Sequence, residues 1–116
     1  MRYVRVFAEP TDDNPGAPPF YVDAIVDDAG EILGQHALFG VQGDFRNRDA
    51  HFEPFVLFRD GKIDWGMAFQ KTTNGQFGSL NLHDAPVSMD RLLRMQTINY
   101  GVQLYRIKAI THLPQT

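Results

Sequence analysis

The chain has 116 residues and no cysteine. Disulfides, thiolate nucleophiles and cysteine-ligated zinc are therefore excluded. It also lacks long apolar runs; none approaches the roughly 20 residues of a membrane-spanning helix. The first ten residues, "MRYVRVFAEP", lack the apolar stretch and small-residue cleavage site of a secretory leader. The expectation is a soluble, cytoplasmic protein without a membrane partner. Positive charge is scarce as well. Eleven Lys and Arg stand against fourteen Asp and Glu, for a formal charge of −3. Broad nucleic-acid binding, which needs a basic stripe, is disfavoured. The bases are scattered, and Arg5 and Arg106 would share a face only if the first and last strands pair. No serine stands in a nucleophile elbow, and no helix follows the glycines at Gly40 and Gly43 to present its N-terminus to a phosphate. No cofactor is expected.

What is present suits one globular domain over residues 1–116, with 43% apolar and 22% charged residues. A chain of this length buries about two-thirds of its unfolded surface, enough for a core without staples. Prolines gather in "EPTDDNPGAPP", residues 9–19. Proline cannot feed a ladder, so this stretch reads as an ordered loop between strands.

The remaining pattern is strand after strand. Residues 2–8 place Val4, Val6 and Ala8 on one face. Residues 20–26 alternate cleanly, with Phe20, Val22, Ala24 and Val26 against Tyr21, Asp23 and Ile25. After "DDAGE" comes a strand over 32–41 in one of two registers. A two-residue loop pairs Asp23 with His36 and sends Leu33, Ala37, Phe39 and Val41 to the core. A three-residue loop with Gly30 left-handed pairs Val22 with His36. Turn chemistry favours the second and the apolar pattern the first, so the direction in which His36 faces stays open.

Between residues 52 and 83 two turn signals stand out. In "RDGK", Asp60-Gly61 as a type I′ turn sets Phe58 opposite Ile63, Val56 opposite Trp65, Pro54 opposite Met67 and Phe52 opposite Phe69. In "TTNGQ", Asn74-Gly75 sets Phe69 opposite Leu80 and Met67 opposite Leu82. Together they predict a three-stranded meander with one aromatic core face. Residues 88–95 read as a helix capped by Ser88 or as a turn leading into a strand; a helical turn over 88–91, then a hairpin turning at "NYG", is favoured. The sum is about seven or eight short antiparallel strands with at most one short helix: an all-β barrel or barrel-like sandwich.

Two regions are candidates for a site. The segment "FRNRDAHFEP", residues 45–54, is dense in charge. Asp44, Asp49, His51 and Glu53 are metal-ligand types, and Phe45 with Arg46 and Arg48 could take an anion or a base. No spacing matches a known motif, no metal is expected, and a solvated loop explains the polarity as well. The second region is the meander face opposite the aromatic core. There Gly66 would lie between Phe55 and His83, and Ala68 between Glu53 and Asn81. This makes a shallow strip in which His51, Glu53, Phe55, Gly66, Asn81 and His83 are the candidate ligand-binding residues. The plainer reading is that Phe55 covers the space left by Gly66.

The preferred function is a binding or interaction module for a small ligand or a protein. The alternative is a small enzyme using carboxylate–imidazole acid–base chemistry, with His51 or His83 as base beside Glu53 or Asp64. A third reading is a homodimer or other oligomer built on an apolar outer face.

Overall fold

A computed structural model describes residues 1–12, 16–66 and 76–114. Eight strands close into an antiparallel barrel in sequence order: β1 (Arg2–Pro10), β2 (Phe20–Val26), β3 (Leu38–Gln42), β4 (Glu53–Leu57), β5 (Lys62–Asp64), β6 (Phe77–Leu80), β7 (Leu92–Thr97) and β8 (Gly101–His112). β1 pairs with both β2 and β8, so no sheet edge is left open at the closure. The only helical element described is a 3₁₀ turn at Leu82–Asp84. The expected all-β barrel is the fold observed.

Up-and-down topology sorts the connections into two ends. The upper end holds residues 11–19, 43–52 and 98–100 and the start of the β5–β6 connection. The lower end holds residues 27–37, 58–61 and 81–91.

The interior is filled by side chains. Val4, Val6, Phe20, Val22, Phe55, Leu57, Ile63, Trp65, Leu80, Leu93, Met95, Tyr105 and Ile107 are all buried. Small residues sit opposite large ones, as the taper of a small barrel requires. Ala8 pairs with Phe20 and Gly40 with Phe55. A Cβ on Gly40 would lie 2.6 Å from the Tyr21 carbonyl oxygen and would also strike the Phe55 ring. The glycine that Phe55 covers is therefore Gly40, not Gly66.

β1 and β2 follow the predicted alternation, and the hairpin of β7 and β8 forms after a turn at residues 88–91. The expected core row of β4 is overturned, and of the two registers left open for β3 the structure takes the Gly30 turn. At the β2–β3 turn, Asp27 N–H donates to Glu31 O and Gly30 N–H donates to Asp27 O, with Gly30 at φ +88°. That is the three-residue loop with a left-handed glycine, and it pairs Val26 with Ile32. Residues 33–37 then loop out, and pairing resumes as Val22 to Gly40 and Asp23 to Phe39. Neither expected partner for His36 is realised, and His36 is exposed. Leu38 and Gln42 face inward; Phe39 and Val41 face outward.

The β4–β5 turn repeats the same bonds: Phe58 N–H to Lys62 O, and Gly61 N–H to Phe58 O, with Gly61 at φ +94°. It is not the two-residue type I′ loop. The one extra residue shifts the register by one, so Leu57 pairs with Ile63 and Val56 with Asp64. A one-residue shift exchanges the two faces of a strand. Glu53, Phe55 and Leu57 point inward, while Pro54 and Val56 point outward and Phe52 and Phe58 are exposed. Trp65 is buried as expected, but the cross-strand partner of Val56 is Asp64. β6 meets β5 as Ile63 to Gly78 and Lys62 to Ser79, and Leu80 N–H donates to Gly61 O. The Asn74-Gly75 turn, Met67, Ala68 and Phe69 lie outside the described residues.

Candidate functional site

The segment of residues 45–54 is an anchored loop. Phe45 packs on the barrel's outer wall, 6.0 Å from Phe7 and 5.4 Å from Tyr21 between ring centroids, and stacks on Phe52 at 5.6 Å. Its ring is thus engaged within the chain. The polar residues close turns: Asp44 Oδ1 accepts from Arg46 N–H at 3.1 Å, and Asn47 Oδ1 from Asp49 N–H at 3.0 Å. Arg46 and Arg48 are exposed, and the Arg46 guanidinium lies 3.9 Å from Asp44. Among the described residues, Asp44, Asp49, His51 and Glu53 do not gather as a metal-holding group.

The six strip residues do not share one face. The register shift turns Glu53 and Phe55 into the barrel, and Gly66 sits beyond the end of β5, where its amide donates to Asp64 Oδ1 at 2.7 Å. His51 and Glu53 are at the upper end; Asn81 and His83 are at the lower end, on the 3₁₀ turn. His51 Nε2 lies 4.0 Å from Glu53 Oε1, with the imidazole 66% exposed and the carboxylate 6%. That distance exceeds hydrogen-bond reach. Asn81 accepts from Arg94 N–H at 2.8 Å and so joins the β6–β7 connection to β7.

The barrel's upper mouth is closed by a buried polar cluster absent from the expected site. Gln42 Nε2 donates to Tyr105 Oη at 3.0 Å and to Pro18 O at 3.2 Å, and the Tyr105 hydroxyl donates to Pro18 O at 3.0 Å. Burial pushes the Tyr105 phenol well above its usual range, so it remains a donor. These bonds tie the β1–β2 loop across the mouth beside Glu53, the cross-strand partner of Gln42.

Part of the exposed apolar surface lies on the outer wall. Phe39, in the middle of β3, is 71% exposed. On one side of it is a groove of about 310 Å³ lined by Pro54, Val56, Asp64, Trp65 and Gly66. On the other is a groove of about 270 Å³ lined by Tyr3, Ile25, Leu33, Ala37 and Leu113. Phe39 forms a wall of both. The first groove opens where β5 stops after three residues, so β4 runs past it. The sequence left Phe39 undecided because apolar pattern and turn chemistry pointed opposite ways; the Gly30 loop was the signal that turns it outward.

Several guanidinium groups near this wall are internal clamps. Arg5 makes a two-pronged ion pair with Asp23 at 2.8 and 2.9 Å and lies over the Tyr21 ring. The Asp23 carboxylate raises the Arg5 pKa above its ordinary value. Arg59 donates to the carbonyls of Ile32 and Gly34, and Arg91 to those of Asn81, Leu82 and Ala85. β1 does pair with β8, but Arg106 lies opposite Glu9 and Arg5 opposite Thr111, so the two form no basic patch.

No helix of the described chain is long and apolar enough to cross a membrane. No protein-family model matches the chain, and no curated protein or solved structure matches it either.

Proposed function

We propose that this barrel is an interaction module whose working surface is the outer wall around Phe39, and that its partner is a protein segment bearing apolar side chains. The exposed Phe39 ring between two apolar grooves carries this reading. A large aromatic held on a rigid strand has little conformational freedom to lose on docking, and aromatic residues beside pockets are typical anchors of protein interfaces. The packed interior supports an external site over a ligand held inside the barrel. The engaged guanidinium groups offer little to a phosphate backbone, which favours protein over nucleic acid. The acid–base enzyme reading has less support, since His51 and Glu53 are 4.0 Å apart with the imidazole largely in water.

Site-specific photo-crosslinking in cells tests this. A benzophenone side chain at position 39 is compared with one at Ile98, which is 78% exposed and lines neither groove. The expected result is a discrete protein adduct from position 39 and none from position 98. An adduct of twice the chain mass would identify a second copy as the partner. Equal smears from both positions would overturn the reading.

A further inference from the structure

Residues 33–37, looped out between the β2–β3 turn and β3, form part of the wall of the groove beside Phe39. They are held at their base. Arg59, from the β4–β5 turn, donates one Nη1 to Ile32 O at 2.9 Å and Gly34 O at 3.1 Å. Leu33 N–H donates to Ile25 O at 2.8 Å, and Val87 N–H donates to Gly30 O at 2.8 Å from the β6–β7 connection. The two lower turns and the connection after β6 thus meet around this loop.

His83, on the 3₁₀ turn of that connection, lies within reach of the Arg59 charge. Both its ring nitrogens are shielded from water, and among the described residues neither has a hydrogen-bond partner. A neutral imidazole strands one N–H donor in such a place; an imidazolium strands two donors and a charge. Burial lowers the His83 pKa, the positive charge of Arg59 lowers it further, and Asp84 on the same turn opposes both. Arg91, from the segment before β7, is occupied by backbone carbonyls and feels the charges of Asp84 and Glu31. Glu31 and His36 are the titratable groups in or beside the loop, and both are exposed.

We propose that His83 and Arg59 form an acid-opened latch on residues 33–37, and therefore on the wall of the Phe39 groove. At neutral pH the uncharged imidazole lets Arg59 keep its grip on the two carbonyls. When His83 takes up a proton, its charge adds to that of Arg59, against the single opposing carboxylate of Asp84. Releasing the loop admits water and separates the two positive charges. That this groove receives a partner rests on the function proposed above; the opening itself does not.

Amide hydrogen exchange of the full chain at pH 7.5 and 5.0, corrected for intrinsic rates, tests the latch at the Leu33 amide. Its protection, measured against the Val6 amide, is expected to fall about tenfold or more at the lower pH as the loop opens locally. His83→Gln, which keeps His36 and Glu31, should hold its protection at both values. Arg59→Met should be open at both. Direct observation of the His83 ring by NMR gives a second reading that needs no variant; its titration should lie below the ordinary 6.5. The latch is overturned by unchanged Leu33 protection in the wild type, by an equal fall in His83→Gln, or by ordinary titration of His83. A latch that works without adducts at position 39 would leave the motion standing and remove the docking function.

Discussion

The barrel has a long side and a short side. β1 and β8 run for nine and twelve residues; β5 and β6 run for three and four. On the long side the strands hold one another through extended ladders, and the wall is tied by pairs such as Arg5 with Asp23. On the short side few ladder pairs join the described residues, and the wall is held from within by Phe55, Leu57, Ile63 and Trp65. One of the two grooves flanking Phe39 lies on this side, between β4 and the end of β5. Where backbone pairing runs out, side chains must fill the interior, and apolar surface is left outside.

The sharpest way to break this comparison is to empty the short side. Trp65→Ala should cost about 3–5 kcal/mol in denaturant unfolding, because the surrounding wall has few ladder bonds to hold it closed. A loss below about 1 kcal/mol would show that the short side does not depend on its interior. Gly40→Ala should cost about 1–3 kcal/mol by overpacking, since the new methyl meets the Tyr21 carbonyl, a backbone atom that cannot step aside. Unchanged stability there would deny the close approach of Phe55.

Tyr105→Phe should cost about 1–2 kcal/mol at pH 7 by removing the bonds of its hydroxyl to Gln42 and to Pro18 O at the mouth. Its pH dependence carries a sign. The folded-state phenol pKa is raised, so the folded protein retains a proton that the unfolded chain loses above about pH 10. Wild-type stability should therefore fall as pH rises beyond about 10, and less steeply in Tyr105→Phe. Parallel slopes would mean that the phenol is not buried. The smallest effect is expected at the outer wall. Phe39→Ser should change stability by no more than about 0.5 kcal/mol while abolishing the adduct-forming surface. A large loss would make Phe39 a structural residue and not a docking one.

The two lower turns show how far local chemistry reaches. Both use a three-residue loop ending in a left-handed glycine, Gly30 in one and Gly61 in the other. At "DDAGE" that turn was foreseen as one of two choices, and the structure adopts it, against the apolar pattern of β3. At "RDGK" the Asp-Gly pair suggested a two-residue loop, and the longer one formed. β2 tolerates no such confusion, because only one of its faces is uniformly apolar. β4 is apolar on both: Pro54 and Val56 could have faced the core as readily as Phe55 and Leu57. A one-residue difference in the turn therefore chose the face, and with it dissolved the strip imagined around Gly66.

From the residues alone followed the class of fold, the inward rows of β1 and β2, the burial of Trp65 and the β7–β8 hairpin. Each rests on alternation or turn chemistry confined to a few neighbouring residues, where local geometry suffices. The tertiary structure alone decided which face of β4 is inward, that β5 stops short, and that Gln42 and Tyr105 close the mouth over Pro18. It likewise decided that Arg59 holds the carbonyls of Ile32 and Gly34. These depend on barrel closure, which brings together residues as distant as Pro18 and Tyr105, and on strand register, which a single bulged residue can exchange.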